Sequence, residues 1–181
     1  YSNPSSLPNL LHFMGEHTLI DVSREEARVR LMDEELFSYP YIYMTGHGNV
    51  FFSPEEVVRL RHYLESGGFL HADDNYGMDQ SFRREMRKVF PRKEWVELPP
   101  EHGLFHCHFD FPRGLPKIHE HDGKRAQALA LFEGERLLVL YTYETDLGDG
   151  WEDEQVHRDP PEKRRAALEM GTNIVVWALT H

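Results

Sequence analysis

Two places in the chain set chemically capable side chains directly after short β-favouring runs. In the first, His47 stands between Gly46 and Gly48. An imidazole there could act as an acid, a base or a metal ligand near neutral pH, and flanking glycines let the backbone approach a ligand closely. The same pattern describes an exposed turn histidine. In the second, Asp73 and Asp74 follow the run 69–72, and Asn75 comes next. Adjacent carboxylates can share a proton, bind a cation or accept hydroxyl groups, and they can equally cap the amides of a loop. His71 shares the Asp73 face of the strand and reads as a hydrogen-bonded sheet histidine.

Three further groups invite chemistry. Trp151, with Asp146, Asp149, Glu152 and Asp153 around it, could form an aromatic platform ringed by hydroxyl-binding acids, or a solvated acidic loop anchored by a buried tryptophan. His106 and His108, and again His119 and His121, have the alternate spacing that puts two imidazoles on one face of an extended segment. Either pair could hold a divalent metal with Asp110 or Asp122 nearby, and His106 with His108 is the named candidate; no other cofactor is expected. Cys107 is the single cysteine, which excludes an internal disulfide, and without a glycine-flanked elbow it reads as a bystander thiol.

The elements that must position these groups alternate between helix and strand. Leu7, Leu10, Leu11 and Met14 recur at helical spacing after Ser5 and Ser6. Residues 18–22 and 41–45 read as strands. Ser53-Pro54-Glu55-Glu56 combines a capping-box spacing with a first-turn proline and opens a helix to residue 66. Gly67-Gly68 closes that helix and starts the strand 69–72, which completes a strand, helix, strand unit of the kind that joins parallel strands. A second helix follows Ser81 and stops at Pro91, residues 95–98 read as a further strand, and 99–116 is irregular. Residues 126–132 and 136–143 form a hairpin around Glu133-Gly134-Glu135, and 162–180 is a helix despite β-branched Ile174, Val175 and Val176.

In open α/β sheets, ligands bind outside the carboxyl ends of the strands, where loops and helix amino termini converge. Residues 46–50, 73–79 and 145–151 leave strands in that sense, and they concentrate Gly, Asp, Asn and His. The expected ligand-binding set is therefore Gly46, His47, Gly48, Asp73, Asp74, Asn75 and Trp151, with His47, Asp73 and Asp74 the catalytic candidates.

The 181 residues fit one domain with a full core, and no apolar stretch has the length of a membrane span. A formal net charge of −11 repels phosphate backbones, which argues against nucleic acid as a partner. The compartment stays open between cytoplasmic and exported after loss of a leader, and the true amino terminus is expected upstream of Tyr1.

Several runs taken in order carry a family resemblance: residues 1–11, Tyr43-Met44-Thr45-Gly46-His47-Gly48, Gly67-Gly68-Phe69-Leu70 with Ala72-Asp73-Asp74, Phe82-Arg83-Arg84-Glu85, Phe90-Pro91, and Gly171-Thr172-Asn173-Ile174-Val175-Val176. Together they resemble the bacterial domain of unknown function 4159 family over nearly the whole chain. That family is similar to the class I glutamine amidotransferase-like superfamily and its trehalose-utilisation proteins. The resemblance implies a flavodoxin-like three-layer sandwich with a mostly parallel sheet, one antiparallel hairpin, and a first strand upstream of Tyr1. Amidotransferases keep a catalytic cysteine after the strand that residues 69–72 resemble; here Asp73, Asp74 and Asn75 stand instead, which argues against glutaminase activity. The expected function is binding of a polar or carbohydrate-like ligand at the strand ends. The alternatives are a hydrolase using Asp73 or Asp74 with His47, with or without a metal, and a subunit-contact module for a protein partner.

Overall fold

The computed structural model describes residues 3–181. Its centre is the strand–helix–strand unit of β1 (Tyr41–Gly46), α2 (Pro54–Glu65) and β2 (Phe69–Asp74). Ser53 caps α2 as its sequence predicts: the Ser53 hydroxyl accepts the Glu56 N–H at 3.1 Å, and the Glu56 carboxylate accepts the Ser53 N–H at 2.9 Å. Gly67 ends the helix at a φ of +115°, and Gly68 lets the chain pass against the Tyr63 ring, which a Cβ would meet at 2.3 Å. All six residues of β2 are buried, as a central strand requires.

The sheet has five strands in the order β1-β2-β5-β4-β3, where β3 is Val96–Glu97, β4 is Gln127–Glu133 and β5 is Arg136–Tyr143. The β1/β2 and β2/β5 pairs are parallel; the β5/β4 and β4/β3 pairs are antiparallel. The sheet is thus mixed rather than mostly parallel. The expected hairpin forms, but β3 extends it into a second antiparallel pair through Val96↔Ala130 and Glu97↔Leu129.

Helices cover both faces. On one, Val57, Leu60 and Leu64 of α2 and Phe82, Met86 and Val89 of α3 (Asp79–Val89) pack on Leu70, Ala72 and Tyr141. On the other, Leu10 and Met14 of α1 (Ser6–His17) and Ala167, Leu168 and Ile174 of α5 (Pro161–Thr180) pack on Phe69, Ala130 and Leu140. Burial of Ile174 in that cluster overrides the weak helix preference of its β-branched run. No helix among the described residues is long and apolar enough to cross a membrane.

Residues 18–22, expected as a strand, form none. The Thr18 hydroxyl donates to the Met14 carbonyl at 2.8 Å and accepts the Ile20 N–H at 3.1 Å, so side-chain bonds at the end of α1 replace a ladder. Ile20 and Val22 pack on the α1/α5 cluster instead.

The parallel register aligns the chemistry. Gly46 pairs with Asp74, and Asp73 pairs with Thr142, so the chain leaves β1, β2 and β5 at one edge. The loop after β1 is bolted to α3: Ser81 accepts the Val50 N–H at 2.9 Å, Glu85 accepts the Phe52 N–H at 2.7 Å, and Arg84 donates to the Val50 carbonyl at 2.9 Å.

Candidate functional site

Strand alternation sends Asp73 and Asp74 to opposite faces, and the two carboxylates meet different surroundings. Asp73 is enclosed. Its Oδ1 accepts the Thr142 hydroxyl at 2.6 Å and the Leu147 N–H at 3.3 Å, and its Oδ2 accepts the Gly148 N–H at 2.8 Å. Burial pushes its carboxyl up to about 8 against the pull of the Thr142 and Gly148 donors, so it keeps a proton at neutral pH. The Thr142 hydroxyl can take that proton's hydrogen bond by turning its own hydrogen to the Ala72 carbonyl at 3.3 Å. Behind it, His71 bridges Tyr41 Oη and Thr142 Oγ1, both at 2.9 Å, and burial lowers its pKa to about 3, which keeps the ring neutral. His71 is the hydrogen-bonded sheet histidine its position suggests.

Asp74 is also buried, but Met78 N–H at 3.3 Å is its one protein donor among the described residues. Burial raises its carboxyl to about 6, with the Met78 N–H and His121 opposing. Asn75 follows, buried, with Nδ2 unbonded. Tyr76 then adopts a φ of +73° and sets its ring 5.1 Å from that of His121.

The loop after β5 carries the rest. Glu144 and Asp146 both adopt positive φ, 61° and 58°. Between them Thr145 accepts the Ile118 and His119 N–H groups at 3.1 and 3.0 Å, and its hydroxyl bonds the Pro116 carbonyl. This anchor draws residues 116–121 across the edge. His119 Nδ1 lies 3.1 Å from Asp146 Oδ2, and its Nε2 lies 2.8 Å from Asp159 Oδ1. The Asp146 bond, supported by Asp159 against partial burial, raises the imidazole to about 9. His121 Nε2 comes within 2.6 Å of Asp146 Oδ1 but is misaligned for a hydrogen bond, leaving both His121 nitrogens and that oxygen unbonded.

Buried polar atoms outside any aligned hydrogen bond include Tyr43 Oη, Asn75 Nδ2, both His121 nitrogens and Asp146 Oδ1, the last ion-paired with His121 Nε2. Among the described residues, Arg59 Nε is the sole one of its kind elsewhere. Tyr43 projects to the Asp73 side, where its hydroxyl faces Gly148; a Cβ on that glycine would lie 2.2 Å from Tyr43 Oη.

The expected site residues are distributed unevenly. Gly46 ends β1, Gly48 lies in the loop beyond it, and each has room for a Cβ, so close approach does not require glycine there. His47 is exposed, with Nδ1 3.1 Å from the Tyr76 carbonyl, which ties the first loop to the second. Trp151 is wholly buried, donates Nε1–H to the Ala167 carbonyl at 2.7 Å, and offers no face to a ligand; it is the buried anchor of its loop. His106 bonds Asp110 and the Pro100 carbonyl, and His108 bonds the His17 carbonyl at 2.8 Å. Burial raises the Cys107 thiol, which contacts the Leu104 and Asn173 carbonyls as an inert group. Among the described residues, the group able to converge on a metal is His119, Asp149 and His157, to which neither His106 nor His108 belongs. Its sequence signals were the alternate spacing of His119 and His121 and the acids around Trp151, Asp149 among them; His157 and Tyr43 have none, because their partners are distant in the chain.

Fold and site together define a three-layer α/β domain with a mixed five-stranded sheet and a polar carboxyl edge. The chain belongs to the family described as Domain of unknown function (DUF4159), whose model matches residues 1–179. A comparison with curated proteins found no match.

Proposed function

We propose that this domain binds a small polar, hydroxyl-bearing ligand at the carboxyl edge of β1, β2 and β5. The observation that carries this reading is the gathering of unbonded buried donors and acceptors on Tyr43, Asn75, His121 and Asp146. Burying such atoms unbonded costs about 1–3 kcal/mol each, a cost a ligand with matching hydroxyls would remove. Backbone strain supports the same edge: Tyr76, Glu144 and Asp146 are three of the four non-glycine residues at positive φ among the described residues. A flavodoxin-like plan of the amidotransferase-like kind accords with helices on both faces and with Asp73-Asp74 at the end of β2. In that plan an upstream strand would pair on the outer edge of β1, the edge strand of this sheet.

The test is a thermal-shift screen against monosaccharides, disaccharides and hydroxy acids. A stabilising compound should lose its effect in Asn75→Leu and His121→Phe but keep it in His106→Ala. Retention in both edge variants would remove the site from this edge.

A hydrolase reading has one specific support, the Asp74 carboxyl raised to about 6 by burial, in the range of a general acid or base. Asp73 is enclosed by its own donors, so the catalytic role would fall to Asp74. Hydrolysis of p-nitrophenyl glycosides and esters that survives Asp74→Asn would exclude that role.

A further inference from the structure

Beyond the proposed ligand edge, carboxylates and imidazoles meet in an arrangement that loop capping does not explain. His119 Nδ1 lies 3.1 Å from Asp146 Oδ2 and 3.8 Å from Asp149 Oδ2, and His157 Nε2 lies 3.7 Å from the same Asp149 oxygen. One ligand atom from each of His119, Asp149 and His157 falls within 4.8 Å of the others. We propose that His119, Asp149 and His157, with Asp146 at the rim of the site, bind a divalent cation of the zinc class.

Outer contacts aim these ligands. Asp159 holds His119 Nε2 at 2.8 Å, the carboxylate–imidazole pairing that turns the opposite nitrogen toward a metal. Asn3 donates to Asp149 Oδ1 at 2.8 Å, and Oδ2 lies 3.8 Å from His119 Nδ1 and 3.7 Å from His157 Nε2. Ligand bonds of about 2.0–2.1 Å space tetrahedral donors about 3.4 Å apart, so the 3.7 and 3.8 Å pairs need to close by only a few tenths of an ångström. Two imidazoles and one carboxylate, with a fourth position for solvent, suit zinc better than magnesium or calcium, which take oxygen ligands.

An independent observation points the same way. The His121 side chain is 5% exposed, has no hydrogen bond, and aims Nε2 at Asp146 Oδ1 from 2.6 Å. Asp146 thus has an imidazole at each oxygen, His119 and His121, immediately beside the Asp149 and His157 donors. His119 bridges Asp146 and Asp159, and a bound cation would take the Nδ1 side of that bridge. His157 is exposed and lies on the short helix α4 (Glu154–His157), which gives the ion a path from solvent. The site shares Asp146 with the proposed ligand edge but does not depend on a ligand binding there.

Tag-free protein stripped with chelator should be titrated with Zn2+ by calorimetry, with Mg2+ and Ca2+ as controls, and loaded with Co2+ for visible absorption. The expected result is one Zn2+ per chain, no comparable Mg2+ or Ca2+ binding, and Co2+ bands of a four-coordinate site. His157→Ala and Asp149→Asn should each weaken Zn2+ at least tenfold, while a His106→Ala, His108→Ala double variant should leave it unchanged. Absence of stoichiometric Zn2+ binding, or full affinity in His157→Ala, would overturn the proposal. His157 is exposed, so its variant keeps the fold by circular dichroism and decides the matter even where Asp149→Asn unfolds. Asn75→Leu, which tests the ligand edge, should leave Zn2+ affinity intact, so the two readings fail separately.

Discussion

Asp73 accepts the backbone N–H of Gly148 at 2.8 Å, joining residues 75 positions apart and fastening the loop after β5 to the end of β2. The carboxylate also takes the Leu147 N–H and the Thr142 hydroxyl, so it closes this part of the edge from within. Replacing it by alanine strands these buried donors. Asp73→Ala should lose about 3 kcal/mol of stability in urea unfolding, and Asp73→Asn, which keeps an acceptor oxygen, distinctly less. Equal midpoints for Asp73→Ala and the parent would mean that the carboxylate does not hold the loop.

The same residue should shape stability against pH. Its folded pKa of about 8 lies above the 3.8 of the free side chain, so the folded state holds the extra proton between those values. Its contribution is full below about pH 4 and is lost as pH rises toward 8. The difference in urea midpoint between the parent and Asp73→Asn should therefore move in favour of the variant across that window and level off above it. A difference that stays flat from pH 4 to 8 would place the titration elsewhere.

Gly148 and Tyr43 form a steric pair that a double-mutant cycle can read. The φ of Gly148 is −63°, so an alanine is conformationally acceptable, but its Cβ would lie 2.2 Å from Tyr43 Oη. Gly148→Ala should destabilise by about 1–3 kcal/mol. Adding Tyr43→Phe removes the clashing oxygen and should recover most of the loss. Tyr43→Phe alone should cost little stability, because the buried hydroxyl has at most a poorly aligned contact with Thr45, while weakening any ligand held at the edge.

The run Gly171-Thr172-Asn173 acts through α5. A Cβ on Gly171 would lie 2.7 Å from the Trp151 ring and 2.9 Å from Leu10, so glycine lets α5 close on both. Asn173 donates to the Leu104 and Phe109 carbonyls at 3.1 and 2.8 Å and accepts the Phe109 N–H at 2.8 Å, fixing the irregular segment before β4. Gly171→Ala should cost about 1–3 kcal/mol through overpacking, and Asn173→Ala about 2 kcal/mol through lost buried bonds, both by thermal or urea unfolding. Wild-type stability in Asn173→Ala would show that the segment is held by its apolar contacts alone.

Much of this architecture is legible in local sequence, because its signals span a few residues. The Ser53 capping box, the positive-φ Gly67 and the hairpin around Gly134 each follow from spacing and composition, and so does the gathering of polar residues at the ends of β1, β2 and β5. Where local signals were weak or shared, packing decided. The run 18–22 has strand composition but no strand to pair with, and Val96–Glu97 becomes an edge strand because Ala130 and Leu129 offer it a partner. The resemblance drawn from ordered runs identified the family, whose model matches nearly the whole chain.

The division within the site has the same cause. Residue type and the places where short β runs stop put carboxylates and imidazoles at strand ends. Long-range packing seals Asp73 under Gly148 while leaving Asp74 with one donor among the described residues, buries Trp151, and brings His119 to Asp146, Asp149, Asp159 and His157. Alternation puts neighbours such as Asp73 and Asp74 on opposite faces, but which face closes depends on loops far away in the chain. Burial and pairing of charge are set by those distant contacts, and they carry the chemistry.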